Sequence, residues 1–379
     1  MQKIKILHLI STTGVGGAER NLQRLVYGID GEYFSNTVAS MTTMGSVGNK
    51  IRENGFPVHA LNMKKGIPDP RGIYHLKRLV SHYQPDIIQC WMYHANLFGL
   101  FFSHKRALVW NIRCSDMDLS RYGFVYKYTV KAGAVFSRIP DVVIANSFAG
   151  KEFHEGLGYS SRKWEVIPNG FDTDLFIFDK DSGNKIRLES GIPLDASVIG
   201  YIARLDPMKD HETFFNAAHL FLKKHPDAHF LLAGRDVEKD NPLIMNYLQG
   251  SNQLDHFHML GQRQDIPQVL SALDIASSSS SWGEGLPNTI GEAMAIGLPC
   301  VVTDVGDSGV LVGDTGHVVP KNNPQALSTA WTQLLDAGHD NLCAMGEKAK
   351  KRIQKHYNLD STIKAYETLY SGLIEKSVT

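Results

Sequence analysis

The sequence predicts an α/β protein made of two doubly wound, Rossmann-like parallel-sheet domains, and three observations carry that expectation. Short apolar runs alternate with longer amphipathic segments, the βα order that builds parallel sheets. The pattern occurs twice, once in each half of the chain. The 379 residues, 43% hydrophobic and 21% charged, are too many for one ordinary domain and enough for two cores.

The N-terminal run Met1–Ile10 has lysines ahead of apolar residues. It is too short for a signal-peptide core and no small-residue cleavage site follows, so Ile4–Ile10 reads as the first strand. Further apolar runs place strands at Asn36–Ser40, Pro57–Leu61, Asp86–Trp91, Leu108–Ile112, Asp141–Ala145 and Trp164–Ile167, with helical patterns between most of them, such as Ala18–Gly28 and Gly72–Tyr83. The second half repeats this. Strands are expected at Val198–Ala203, His229–Ala233, Phe257–Leu260, Ile275–Ser277, Cys300–Thr303 and Gly316–Val319, and helices at Asp210–Lys224, Asn288–Ile296, Pro324–Asp336 and Leu342–Lys355. The domains are expected at residues 1–170 and 190–357. Between them Asp179-Lys180-Asp181-Ser182-Gly183-Asn184 is polar and turn-rich, as a linker is.

Composition narrows the function classes. Lys plus Arg and Asp plus Glu are both 39, so the chain lacks the basic excess of a dedicated nucleic-acid binder. Cys90, Cys114, Cys300 and Cys343 form no CxxC pair, which argues against a disulfide framework or zinc site and for cytosolic, mostly buried thiols. The apolar stretch Ala95–Phe102 is far shorter than a membrane span. A soluble cytoplasmic protein is expected.

In parallel sheets ligands bind beyond the carboxyl ends of the strands, and that rule selects the residues to examine. Gly14-Val15-Gly16-Gly17-Ala18-Glu19 follows the first strand and opens a helix. It departs from the dinucleotide fingerprint because Glu19 takes the third small position and the second strand ends in Ser40-Met41-Thr42, with no acid for a ribose. Gly16 and Gly17 still permit close backbone approach to a ligand; a tight turn with Glu19 facing the helix dipole is the structural alternative. In the second half, Arg204 and Lys209 flank the loop after the first strand and are spaced to reach one anion; a pair of solvated charges is the alternative.

The most specific segment runs from Gly283 to Pro299. Pro287 precedes a helix that Gly297 and Pro299 end. The free N–H groups at its start suit a phosphate, which makes Gly285, Leu286, Asn288 and Thr289 candidate ligand-binding residues. Glu292, the sole charge in that helix, leans toward its N-terminus and suits a ribose diol; Glu284, eight residues earlier, suits another part of the same ligand.

At these residues the chain resembles the family-four retaining glycosyltransferases of the GT-B fold, over almost its whole length. Glu284 and Glu292 match that family's E-x7-E motif within EGLPN…EAMA…G-P, and Arg204 with Lys209 looks like its phosphate-binding pair. Gly16-Gly17-Ala18-Glu19, Asn146-Ser147, Pro168–Asp172 and Asp265-Ile266-Pro267 with Asp274 resemble further motifs. The resemblance implies two domains facing across a cleft, the first on the acceptor side and joined by the C-terminal helix 358–379. It implies transfer of a sugar from a nucleotide-sugar, with UDP favoured, to a sugar or lipid-linked acceptor hydroxyl in glycan, polysaccharide or glycolipid synthesis, with retention. No cofactor and no metal are implied. Many members carry a histidine where this chain has Arg113, which becomes a candidate site residue together with His94. A GT-B nucleotide-sugar epimerase and a catalytically silent nucleotide-binding subunit remain alternatives.

Two weaker signals complete the reading. Asp116-Met117-Asp118, Asp172-Thr173-Asp174 and Asp179-Lys180-Asp181 are short enough to arise by chance rather than as metal sites. The stretch Arg121–Lys131, with Arg138 nearby, mixes cations and aromatics as a helix resting on the inner face of an anionic membrane would; core packing with snorkelling lysines is the alternative.

Overall fold

The computed structural model describes residues 3–64, 69–248 and 253–378; Met1, Gln2 and Thr379, which the sequence reading includes, lie outside them. The chain divides into two compact units, Met1–Gly170 with Leu359–Thr379, and Phe171–Asn358.

The first unit is built on seven parallel strands: β1 (Ile4–Ile10), β2 (Phe34–Ser40), β3 (Val58–Ala60), β4 (Ile87–Trp91), β5 (Ala107–Ile112), β6 (Val142–Ala145) and β7 (Trp164–Val166), ordered β3-β2-β1-β4-β5-β6-β7. The second has β8 (Val198–Ile202), β9 (His229–Ala233), β10 (Phe257–Met259), β11 (Ile275–Ser278), β12 (Cys300–Thr303) and β13 (Gly316–Val319), ordered β10-β9-β8-β11-β12-β13. Every strand pairing is parallel, for example Ile6 beside Ile87 and Val198 beside His229. Parallel strands are covered on both faces, which is why they read as unbroken Val/Ile/Leu runs rather than as alternating patterns.

Each sheet separates two apolar layers. In the first unit Leu7, Leu9, Ile88, Trp110 and Val143 fill one face. The other holds Ile6, Ile10, Leu22, Val109 and Ile144, closed by Ile363, Tyr366, Leu369 and Tyr370 of the helix Leu359–Val378. In the second unit a ring cluster of Phe214, Phe221, Phe230 and Trp331 packs one face, and Leu231, Ala293, Met294 and Val302 the other. No helix among the described residues is long and apolar enough to cross a membrane.

One sequence expectation fails here. The polar segment from Asp179 to Asn184 is no linker: Asp179 caps the helix Lys180–Glu189 by accepting from Asp181 N and Ser182 N. Asp, Ser, Gly and Asn make both loops and helix starts, so composition could not separate the two. Arg187 of this helix is buried. It donates to the carbonyls of Ala272, Leu194 and Ala196 and pairs with Asp274 at 2.9 Å, while Asp274 also accepts from Val198 N. The helix is thereby tied to the starts of β8 and β11. Removing one partner of a buried pair strands the other, so Arg187→Ala should cost about 3–5 kcal/mol in urea unfolding. A loss below about 1 kcal/mol would show the knot to be incidental.

Candidate functional site

In the second unit the strand order reverses between β8 and β11, and the loops leaving the carboxyl ends of such a pair form the ligand crevice of doubly wound sheets. After β8, Arg204 Nε donates to Asp206 Oδ2 at 3.0 Å, and Asp206 Oδ1 accepts from Met208 N, folding Pro207–Lys209 into a single 3₁₀ turn. The turn delivers the Lys209 ammonium to Glu284 Oε1, in the loop after β11. Ser280 Oγ donates to the same oxygen at 2.7 Å.

The Lys209 and Glu284 side chains are 16% and 9% exposed, so this is a buried ion pair. Burial pushes the Glu284 carboxyl up, but the Lys209 charge and hydrogen bond, the Ser280 hydroxyl and the Arg204 charge together outweigh it and hold the group below its ordinary value. The backbone beneath the pair is fixed as closely. The Tyr201 hydroxyl donates to Lys209 O, and Ser279 Oγ reaches Lys209 O at 3.1 Å and Asp210 O at 2.9 Å. Ser281 N donates to Met208 O, and Thr303 Oγ1 to Ser280 O. Gly306, at φ 59°, lies so close to the loop that a Cβ would stand 2.1 Å from Glu284 O; any other residue would displace Glu284.

Four residues beyond Glu284 the helix Asn288–Ile296 begins behind Pro287. Pro287 at its N-cap makes no side-chain cap hydrogen bond, and Gly297 closes it at φ 100°. Gly285 O accepts from Asp307 N, Leu286 is buried, and Asn288 and Thr289 are half-buried at the start of the helix. Glu292, the one charged residue of this helix, is fully buried. The structure thus gathers Arg204, Lys209 and Glu284, and places Glu292 on the helix that follows Glu284.

In the first unit the reversal lies between β1 and β4. Gly16 and Gly17 open the helix Gly17–Gly28, and a Cβ on Gly16 would stand 2.3 Å from Glu19 Oε2, so the carboxylate folds back over the loop. After β4, Met92 adopts φ 69°, ψ 166°, a conformation left almost entirely to glycine, and starts the helix Tyr93–Gly99. Such strain concentrates at functional sites. His94 follows it, half-buried with its ring 6.0 Å from Tyr126, and burial lowers its pKa so that the imidazole is neutral near pH 7.

Arg113 lies at the end of β5, where its guanidinium donates to Asn169 Oδ1 and Asn111 Oδ1 and lies 5.4 Å from the centroid of Trp91. These contacts link β5 to the segment before Gly170. Asp118, Asp172 and Asp179 each accept backbone N–H groups at turns or helix starts, and Asp265 forms a two-point pair with Arg263 at 2.8 and 2.5 Å. Among the described residues no group of three or more His, Cys, Asp or Glu is placed to hold a metal ion. The five-serine run Ser277–Ser281 follows a strand and reads from the sequence as a loop on the active side rather than a linker, but Tyr201, Ser279 and Ser280 are not singled out there as individual site residues.

Residues 15–175 match the family described as Glycosyltransferase Family 4, and residues 196–337 that described as Glycosyl transferases group 1. The UDP-Gal:alpha-D-GlcNAc-diphosphoundecaprenol alpha-1,3-galactosyltransferase of Escherichia coli is 29% identical over 216 residues, 56% of this chain and 55% of that protein. The D-inositol 3-phosphate glycosyltransferase of Corynebacterium urealyticum is 27% identical over 246 residues, 62% of this chain and 57% of that one. The chain therefore spans little more than half the length of these two relatives. Among solved structures, Anabaena HepE in complex with UDP-glucose superposes with a TM-score of 0.84 at 22% identity, over 97% of this chain and 99% of that chain. The sucrose-phosphate synthase of Thermosynechococcus elongatus gives 0.83 at 18%, over 98% and 100%. These likenesses are of fold, and the fold is GT-B.

The buried pair makes stability depend on pH with a definite sign. The folded pKa of Glu284 is depressed, so the pair's contribution is complete above the unfolded carboxylate value of about 4.3 and is lost as pH falls through the lower folded value. Lys209→Met leaves a buried carboxylate without its main partner. It should cost about 3–5 kcal/mol near pH 7.5 in urea unfolding, and less near pH 5, where the carboxyl can take up a proton. An equal loss at both pH values would contradict the pairing.

Proposed function

The chain belongs to the group 1, family-four glycosyltransferases, and from that premise we propose that it transfers a sugar from a UDP-sugar to an acceptor hydroxyl, retaining the anomeric configuration and needing no metal ion. The observation that carries the reading is the cluster of Arg204, Lys209 and Glu284, followed in the chain by the helix that holds the buried Glu292.

Each group has a task that its chemistry suits. Arg204, Lys209 and the first-turn N–H groups at Asn288 and Thr289 take the pyrophosphate. Glu292 accepts from the ribose hydroxyls and Glu284 from a hydroxyl of the donor sugar; both carboxylates would repel a phosphate. As the bond from the anomeric carbon to the phosphate oxygen breaks, negative charge grows on the phosphate and positive charge on the ring. Fixed cations and a helix N-terminus stabilise the first, the role a metal ion plays elsewhere. The acceptor oxygen bonds to the same carbon, and its proton passes to the departing phosphate. His94, a neutral imidazole in the first unit, offers a hydrogen bond to a sugar hydroxyl.

The preference for UDP rests on relatives: the E. coli protein is named for UDP-Gal, and HepE was crystallised with UDP-glucose. The E. coli enzyme's acceptor is named as a diphosphoundecaprenol lipid, and the first unit has a surface suited to meeting such a molecule at a bilayer. The helix Phe124–Phe136 exposes Phe124 (69%), Tyr128 (55%) and Val135 (75%), with Lys131 and Arg138 exposed nearby. An aromatic, cationic helix of this kind lies in the interface of an anionic membrane.

Two tests follow. UDP at about 100 times its dissociation constant should stabilise the wild type by about 2.7 kcal/mol in a thermal shift, and Glu292→Ala should lose the shift. Arg204→Ala should lower turnover about 10²–10³-fold. No response to UDP, or wild-type turnover in Arg204→Ala, would sink the donor assignment; a changed sugar released without acceptor would mark an epimerase. Separately, the chain should pellet with anionic phosphatidylglycerol vesicles but not with neutral ones, and Phe124→Ser/Tyr128→Ser should abolish pelleting. Binding indifferent to lipid charge would remove the membrane reading.

A further inference from the structure

Ser280 has a place in the donor site that its burial alone does not explain. It is 1% exposed, and its hydroxyl donates to the one Glu284 oxygen that also receives the Lys209 ammonium. Its carbonyl accepts from Thr303 Oγ1 at 2.6 Å, so its backbone is pinned to the end of β12. Its neighbour Ser279 makes a different contact, with the carbonyls of Lys209 and Asp210. Adjacent serines thus serve the two halves of one ion pair, Ser279 the backbone of the cation and Ser280 the carboxylate itself.

Resting on the donor-site reading above, we propose that Ser280 is a positioning residue for the transfer step, holding Glu284 in place when Lys209 leaves it for the donor's pyrophosphate. Lys209 and Ser280 share Glu284 Oε1. A pyrophosphate carries more negative charge than a carboxylate and draws the flexible ammonium away, whereas the short hydroxyl of Ser280, on a pinned backbone, stays. Glu284 then keeps the Ser280 donor and its direction, and meets the sugar already oriented. The pyrophosphate is held by Lys209 and Arg204 with or without the serine hydroxyl. The inference therefore separates nucleotide binding, which does not need Ser280, from sugar transfer, which does.

The test combines calorimetric titration with UDP and turnover measured as UDP release from a panel of UDP-glucose, UDP-galactose and UDP-N-acetylglucosamine. Ser280→Ala should bind UDP within about twofold of wild type yet lose about tenfold or more in kcat, the scale of one hydrogen bond to a charged group. Ser280→Thr, which restores a hydroxyl, should recover most of the rate. Equal losses of UDP affinity and kcat in Ser280→Ala, or no recovery in Ser280→Thr although that variant binds UDP normally, would assign the serine to folding alone and overturn the proposal. Lys209→Ala in the same titration separates the two levels: unchanged UDP affinity there would overturn the donor-site reading, and this proposal with it.

Discussion

A lysine ammonium and a glutamate carboxylate, 75 residues apart in sequence, meet inside the second unit, and much of the surrounding loop structure keeps them together. Taking two charges out of water costs several kcal/mol each, and only close pairing with further hydrogen bonds offsets that. The second unit meets the requirement with side chains from three strand ends: Tyr201 on β8, Ser279 and Ser280 after β11, and Thr303 on β12. Gly306 permits the close backbone approach that completes the loop. The strand reversal between β8 and β11 is what brings these ends side by side.

Arg204 rests on Asp206 and Lys209 on Glu284, so each cation has a carboxylate partner. In the proposed function an incoming dianion competes for these cations and releases carboxylates suited to accept from hydroxyls. A nucleotide-sugar presents both kinds of group at once. The first unit carries its own markers at the corresponding reversal, the strained Met92 before His94 and the glycine loop under Glu19.

The fold was largely legible because parallel strands, covered on both faces, appear as apolar runs that no polar alternation disguises. β1, β9, β12 and β13 have the ends the runs suggested. What escaped was local. The helices Ser46–Glu53 and Phe148–Gly156 are short and rich in Gly, Asn or His, and Asp179 caps a helix where its neighbourhood resembles a loop. At the site, residue types and spacing pointed to Glu284, Glu292, Arg204 and Lys209, because two carboxylates in a Gly/Pro frame have few other uses. Their partners were not legible. That Lys209 lies on Glu284 depends on contact between distant loops, and that Arg113 donates to Asn169 depends on a side-chain direction that sequence does not encode. The serines of Ser277–Ser281 divide their labour in a way visible only in the hydrogen bonds.

The central claim is that a nucleotide diphosphate takes Lys209 from Glu284. A crystal structure of the chain with UDP tests it most directly. The account predicts the pyrophosphate against Lys209, Arg204 and the first turn of Asn288–Ile296, the ribose hydroxyls on Glu292, and Glu284 still held by Ser280. A nucleotide bound elsewhere, or Lys209 still paired with Glu284 while UDP occupies the site, would contradict it.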